Sequence, residues 1–153
     1  MRPLLQIIVL IIGSFLATHA PTTPQFPEPI HYQFLQDTIQ RPIPEHQIRV
    51  HVYSANLPWQ TIGQTFPIEG DQYIILLNPQ HRDQWTLTLL HELVHVKQFE
   101  THKLEWDPIL HQWSWLDIPI DWNQPWSHRP WEKEADLQAS RYLIWYQTRQ
   151  TID

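Results

Sequence analysis

The distribution of proline limits where this chain can form long helices. Fourteen of its 153 residues are proline, a residue that interrupts helices and removes a hydrogen-bond donor from central strands. Two long segments lack such breakers. One follows Asn78 and Pro79, which are typical of a helix cap and a first helical position, and continues to about Glu100. The other runs from Trp131 to Arg149, and we predict one long helix in each.

Shorter elements fill the rest of the chain. The apolar residues of His31 to Gln40 follow helical spacing, Gln47 to Ser54 alternates like a half-buried strand, and Tyr73 to Asn78 is an apolar run typical of a more buried strand. The prolines between Thr101 and Trp131 predict a long connection with at most one short helix, near Ile109 to Trp115. The predicted fold class is α+β, with a small antiparallel or mixed sheet packed on the first long helix.

The N-terminal residues are typical of a segment that directs secretion. Arg2 precedes an apolar run from Leu4 to Ala17, and residues 1–20 end in small side chains, which indicates a signal peptide. The run is shorter than the ~20 apolar residues of a membrane span. An uncleaved signal anchor stays open, because Pro21 disfavours cleavage after Ala20. We therefore expect a secreted or periplasmic protein, or one tethered to a membrane if the segment stays uncleaved.

One domain is expected after this segment. Residues 21–30 are rich in proline and predict an extended tether, and residues 31–153 have the length of a single domain. Because the chain contains no cysteine, a metal ion can only be bound by His, Asp or Glu. The 10 basic residues are scattered and are outnumbered by 16 acidic ones, so we expect no nucleic-acid partner.

The sequence HELVH, residues 91 to 95, lies inside the first long helix. Four residues turn a helix by ~400°, so His91 and His95 project from one face about one turn apart and can reach one metal ion. Glu92 lies ~100° around the helix, in the position of the general base of an HExxH metalloprotease. Two core or surface histidines with ordinary hydrogen-bond partners and no metal would show the same spacing. The metal hypothesis therefore requires a further ligand.

The last predicted helix offers the third ligand that a catalytic zinc needs. Glu132 lies at its start, and Asp136 follows one turn later on the same face, where its carboxylate can fix a ligand imidazole. Glu134 points ~200° away from Glu132 on the helical wheel and is the weaker candidate. His102 shares the face of His91 but lies beyond the predicted end of its helix, which favours a solvated histidine.

The combination of HELVH with the later sequence EKEAD, residues 132 to 136, resembles the zincin metallopeptidases of the gluzincin branch. The short chain is most similar to their minimal single-domain members, the minigluzincins, and the resemblance covers the two long helices. It implies a zincin-like fold with one Zn²⁺ held by His91, His95 and Glu132, and with Asp136 as support. It also implies that a zinc-bound water activated by Glu92 hydrolyses peptide bonds of a peptide or protein substrate.

In this family an edge strand above the HExxH helix holds an extended peptide by β-augmentation. Two predicted strands precede the helix, Gln47 to Ser54 and Tyr73 to Asn78. The resemblance does not choose between them.

Two further roles stay open at this point. The oxyanion that forms when water attacks a carbonyl requires a stabilising group, for which the candidates are His111, His128, Arg129 and Tyr142. A closed structural zinc site is an alternative to a catalytic one, and its fourth ligand would be His102 or His128.

Tryptophan is concentrated between the two long helices. These side chains either wall a substrate cleft or, as we favour, anchor the loops by burial. A catalytically idle zincin scaffold that binds a peptide or cell-wall glycan through this segment is the alternative function. The residues concerned are Trp106, Trp113, Trp115, Trp122, Trp126 and Trp131.

Overall fold

The computed structural model describes residues 29–40, 48–58, 61–68, 70–107, 109–121 and 123–150. The predicted signal segment and residues 21–28 of the tether lie outside these ranges. The first helix, α1, spans Pro29–Leu35 and continues as a π-helical turn over Gln36–Gln40. It begins inside the predicted tether, because proline suits the first position of a helix and Ile30 is buried in the core.

A three-stranded mixed sheet follows α1. Its strands are β1 (Arg49–Ser54), β2 (Gly63–Pro67) and β3 (Gln72–Leu77), in the order β1-β3-β2. β1 is parallel to β3, and β2 is antiparallel to it. Both predicted strands are confirmed, and the continuous apolar run is the central one. Because β3 is paired on both sides, it is not an edge strand.

The sequence pattern does not predict β2. Its five residues begin with Gly63 and end with Pro67, and these residue types weaken strands or confine them to sheet edges. Pairing with β3 sets its position, with Thr65 opposite Ile75. β2 consequently forms one edge of the sheet and β1 the other.

The helix after β3 begins in two steps. Asn78 Oδ1 accepts a hydrogen bond from the Gln80 amide at 3.1 Å, and a 3₁₀ helix spans Pro79–Gln84. Non-helical angles at His81 (φ −118°, ψ 38°) interrupt this turn before the α-helix α2, Trp85–Glu100. The predicted cap is confirmed, whereas the α-helix itself begins only at Trp85.

The main hydrophobic core lies between the sheet, α2 and the last helix, α3, which spans Pro130–Gln150 and confirms the second long helix. Ala135 and Ala139 on α3 are fully buried, and such small side chains let two helices approach closely. Most of the large aliphatic residues of this core come from β3 and α2, namely Ile75, Leu77, Leu89, Leu90, Leu93, Val94 and Val96.

The segment between α2 and α3 forms a second sheet, so the predicted short helix near Ile109 to Trp115 is wrong. Strands β4 (Leu104–Asp107), β5 (Gln112–Trp115) and β6 (Ile118–Pro119) pair antiparallel in that order. Trp106 lies opposite Trp113, with ring centroids 5.3 Å apart, and such aromatic pairs stabilise a hairpin. The proline of β6 is tolerated because β6 is an edge strand.

The turn between β4 and β5 explains why no helix forms there. Asp107 Oδ1 accepts hydrogen bonds from the amides of Ile109 at 2.7 Å and Leu110 at 2.9 Å. His111 follows with a φ of 52°, a left-handed conformation that a helix does not contain. Local bonds from an aspartate to nearby amides compete with helix formation, and here they close a hairpin.

Most of the described tryptophans in this segment are structural. Trp115 and Trp131 are buried in a second core cluster with Leu104 and Ile120, and Trp113 packs against that cluster. Trp126 differs from them, because it is 54 % exposed. Burial rather than a wall of exposed rings therefore accounts for most of these side chains.

Three α-helices and two three-stranded sheets in the described ranges establish the α+β class at this level. None of the helices described is both long and apolar enough to cross a membrane. The helices α2 and α3 pack directly against each other, so polar residues from both can meet at their interface.

Candidate metal centre

Two imidazoles and a carboxylate converge where α2 packs on the first turn of α3. His91 Nε2 and His95 Nε2 are 3.0 Å apart, and Glu132 Oε2 lies 3.2 Å from the first and 3.3 Å from the second. A tetrahedral zinc ion with bonds of about 2.0–2.1 Å holds its donors about 3.3 Å apart. These three side chains, which we call the metal group, can therefore bind a metal ion.

Hydrogen bonds on the outer side orient both imidazole rings. His91 Nδ1 lies 2.8 Å from Asp136 Oδ1, and His95 Nδ1 lies 2.8 Å from Gln98 Oε1. Carboxylate and amide oxygens only accept hydrogen bonds, so each Nδ1 is the donor. In the neutral ring, each Nε2 then presents its lone pair to the metal group.

Glu132 is also held in place, and its charge is favoured there. Trp131 Nε1 donates to Glu132 Oε1 at 3.0 Å, which leaves Oε2 for the metal group. Burial raises the pKa of Glu132, but hydrogen bonds from His91 and His95 outweigh burial and lower the pKa to about 2. The metal group therefore contains a carboxylate that stays ionised and favours a cation beside it.

The environment of His95 favours a positive charge for the same reason. Burial lowers the pKa of His95, but the hydrogen bond to Glu132 and the charges of Glu92 and Glu132 outweigh burial and raise the pKa to about 9. A proton and a metal ion compete for the Nε2 lone pair, so binding of a metal releases the proton.

Glu92 is buried beneath β2. Thr65 Oγ1 donates to Glu92 Oε2 at 2.6 Å and lies 3.1 Å from the Glu92 carbonyl oxygen. Glu92 is only 5 % exposed, and burial raises its pKa by more than His95, His91 and Thr65 lower it. A carboxyl group with a raised pKa beside a metal-binding group is suited to accept and return a proton.

Gly63 allows β2 to lie this close to α2. A Cβ atom at this position would lie 2.7 Å from both Glu92 Oε1 and Thr88 Cγ2, well inside van der Waals contact. A side chain at this position therefore forces β2 away from α2 or turns Glu92 aside.

We expect Gly63→Ala to lower the free energy of unfolding by about 1–3 kcal/mol through overpacking, measured by chemical denaturation. Thr88→Ser deletes Cγ2, so the cost of Gly63→Ala should be smaller in a Thr88→Ser background. Gly70→Ala is the control, because its φ of 70° strains alanine whereas the added Cβ meets no atom within 4 Å. Its cost should be the same in both backgrounds. Strict additivity between positions 63 and 88 would contradict the steric explanation.

Two other predicted candidates lie outside the metal group. Glu134 forms an ion pair with Lys103 Nζ and accepts a hydrogen bond from Gln98 Nε2 at 3.1 Å. His102 has a side chain that is 81 % exposed, with its Nδ1 2.7 Å from Glu105 Oε1. Glu132, as favoured from the sequence, is therefore the carboxylate that meets the two histidines.

Trp126 covers one side of the metal group. Its ring stacks on His91 with centroids 6.2 Å apart and an interplanar angle of 18°. The Arg129 guanidinium carbon lies 5.6 Å from the centroid of the same tryptophan. Arg129 is thus connected to the metal group through a single side chain.

The other oxyanion candidates have different surroundings. Tyr142 packs edge-on against Phe34 and directs its hydroxyl to Asp37 Oδ2 at 3.4 Å, in the contact between α1 and α3. His111 contacts Trp106 in the β4–β5 hairpin. His128 is exposed and is not a member of the metal group.

Three residues around the site are not predicted by the sequence. Gln98 carries a local signal, because it is a polar residue three positions after His95 on a helix whose neighbouring side chains are buried. Thr65 and Gly63 carry none, since they lie in a strand that only pairing with β3 places above α2.

No family model, curated protein or solved structure matches the chain. The resemblance to the gluzincins therefore rests on the residues of α2 and α3 described above. The metal group does not depend on this resemblance, because its three side chains meet in the described part of the chain.

Proposed function

We propose that this protein is a zinc-dependent peptidase of the gluzincin type with a zincin-like fold. The observation that carries the proposal is the arrangement of three oriented donors 3.0–3.3 Å apart next to a buried carboxyl group, Glu92, on the same helix. Orientation of ligands by outer hydrogen bonds is typical of real metal sites. Side chains that are close together only by chance do not need such orienting hydrogen bonds.

The number of donors favours a catalytic over a structural zinc site. Catalytic zinc has three protein ligands and an open position, whereas structural zinc has four ligands. Within the described residues, the metal group contains three, and neither His102 nor His128 belongs to it. A closed structural site therefore lacks a fourth ligand among the candidates named from the sequence.

The side chains of this site divide the work of peptide hydrolysis. His91, His95 and Glu132 would hold the ion, and a bound zinc ion supplies a Lewis acid that activates water and polarises a carbonyl. Glu92 accepts a proton from the attacking water and returns it to the leaving amine. Thr65 keeps the Glu92 carboxylate in position through the bond at 2.6 Å.

The substrate is proposed to pair with β2 instead of either strand considered from the sequence. β3 is central, and β1 lies at the opposite edge of the sheet. The Asn78 amide donates to the Ile62 carbonyl at 2.8 Å, and bonded positions alternate along an antiparallel pair. Gly63 and Thr65 therefore direct their backbone groups to the open edge of β2, directly above Glu92, where an extended peptide can add as a strand.

The alternative of an idle scaffold that binds a glycan or peptide through its tryptophans receives less support. Trp115 and Trp131 are core residues, and Trp113 packs against the core. Trp122 lies outside the described residues, and among the tryptophans that the structure describes only Trp126 combines exposure with a position beside the metal group. A site that no longer catalyses a reaction has no physical need for a buried carboxyl group such as that of Glu92.

A metal-removal experiment tests the proposal. We expect the purified protein to cleave members of a library of internally quenched peptides. Chelation with 1,10-phenanthroline should reduce this activity to background, and one equivalent of zinc should restore it, because the activated water depends on the ion. Cleavage that persists after complete removal of zinc would reject the proposed function.

A further inference from the structure

The side chain of Gln98 contacts the metal group through His95 and has no role in this mechanism. It lies on α2, one turn after His95, and is only 1 % exposed. Burial of an amide is costly unless its hydrogen bonds are satisfied. The identity of its partners therefore indicates what this buried polar side chain does.

The amide of Gln98 can take only one orientation. Its Nε2 donates to the Trp131 carbonyl oxygen at 2.9 Å and to Glu134 Oε2 at 3.1 Å. Both partners only accept hydrogen bonds, so the NH₂ group must face them. Its Oε1 must then face His95 Nδ1, at 2.8 Å. In the neutral ring, which is the form that binds a metal ion, the orientation of Gln98 thus places the proton of His95 on Nδ1.

The same amide connects His95 with the third member of the metal group. Trp131, whose carbonyl oxygen Gln98 binds, directly precedes Glu132 and donates its indole N–H to Glu132 Oε1 at 3.0 Å. Glu134 is held in turn by Lys103, which follows α2. A single side chain therefore sets the orientation of His95 and the approach of α3, which carries Glu132.

We propose that Gln98 is a positioning residue of the metal centre, which fixes the His95 ring with Nε2 towards the ion and holds the start of α3 at the distance at which Glu132 completes the site. This inference rests on the metal binding in the proposed function, but not on peptide hydrolysis. At His91 the corresponding acceptor is Asp136, a carboxylate whose side chain is 61 % exposed. At the buried His95, close to Glu92 and Glu132, a neutral amide supplies orientation without adding a further negative charge.

The test compares Gln98→Met with Gln138→Met, at equal zinc and neutral pH, by competition with a chromophoric chelator. Gln138 also joins α2 to α3, since it accepts a hydrogen bond from Lys97 Nζ at 3.0 Å. Unlike Gln98, it has no hydrogen bond to the metal group among the described residues. We expect zinc affinity to fall about ten- to a hundredfold in Gln98→Met and to stay near the wild-type value in Gln138→Met. Equal zinc affinity in wild type and Gln98→Met would overturn the proposal.

A second measurement covers the case in which Gln98→Met does not fold. In zinc-loaded wild type labelled with ¹⁵N, the His95 ring should show a protonated Nδ1 that exchanges slowly with solvent and a metal-bound Nε2. Metal on Nδ1 would overturn the role of Gln98. This readout responds to ring orientation and not to stability alone.

The outcomes separate this proposal from the proposed function. If wild type binds no zinc, both are rejected. If wild type and Gln98→Met bind zinc equally, only the role of Gln98 is rejected. If Gln98→Met binds zinc more weakly while Glu92→Gln cleaves peptides as fast as wild type, the role of Gln98 stands and the peptidase mechanism is rejected.

Discussion

Replacement of His95 by alanine is expected to abolish metal binding. We expect the wild-type protein to retain about one zinc ion per chain after gel filtration and His95→Ala to retain almost none. Only His91 and Glu132 remain in the variant, and loss of a ligand should weaken affinity by more than the about 10–100-fold that loss of an outer partner costs. Elemental analysis of zinc per chain measures the effect.

The matched control is His51→Ala, which removes an exposed histidine from β1, outside the metal group. It should retain as much zinc as wild type. A full equivalent of zinc in His95→Ala would place the metal site elsewhere. If wild type takes up no zinc even when one equivalent is added near neutral pH, α2 is only a core helix that carries two histidines, and the peptidase proposal is withdrawn.

Glu92→Gln is expected to separate metal binding from chemistry. Glutamine keeps the size of the side chain but cannot accept the proton, so kcat/KM on a cleaved peptide should fall by about 10²–10⁴-fold. The zinc content should stay at about one per chain, because Glu92 is not a member of the metal group. Steady-state cleavage of a quenched peptide, measured beside zinc content, tests both statements.

Glu105→Gln provides the control for a lost carboxylate, because Glu105 lies on β4 and bonds to the exposed His102. Its kcat/KM should equal that of wild type. Equal cleavage by wild type and Glu92→Gln would remove Glu92 from the mechanism. Loss of zinc in Glu92→Gln would instead mean that the buried carboxylate helps to hold the ion or the helix.

The elements that the sequence predicted well are those with strong local signals. The two long helices and the strands β1 and β3 depend on hydrophobic period, on the Asn78 cap and on the absence of breakers, all of which act within a few residues. The segment Thr101 to Trp131 was the main error. Its fold depends on local hydrogen bonds to Asp107 and on the pairing of Trp106 with Trp113. The number of prolines predicts neither feature.

The candidate site divides in the same way. His91, His95 and Glu92 follow from helical spacing within five residues, and Glu132 and Asp136 follow from the spacing of a second motif. The structure brings Glu132 Oε2 to within 3.3 Å of both histidines and Asp136 to 2.8 Å from His91. Nothing in the spacing of either motif alone fixes the distance between two helices that are far apart in the chain.

The sequence by itself determined which side chains of α2 and α3 carry metal-binding chemistry, because helical geometry fixes which residues share a face. Only the tertiary structure decided that β2 lies above Glu92, that Thr65 holds the carboxylate and that Gln98 joins His95 to the start of α3. The contacts of Thr65 with Glu92 and of Gln98 with Trp131 connect residues separated by 27 and 33 positions. They form only when burial of the apolar faces of β3, α2 and α3 packs the two helices and the sheet together. The hydrophobic pattern of a single segment does not show which other segments it packs against.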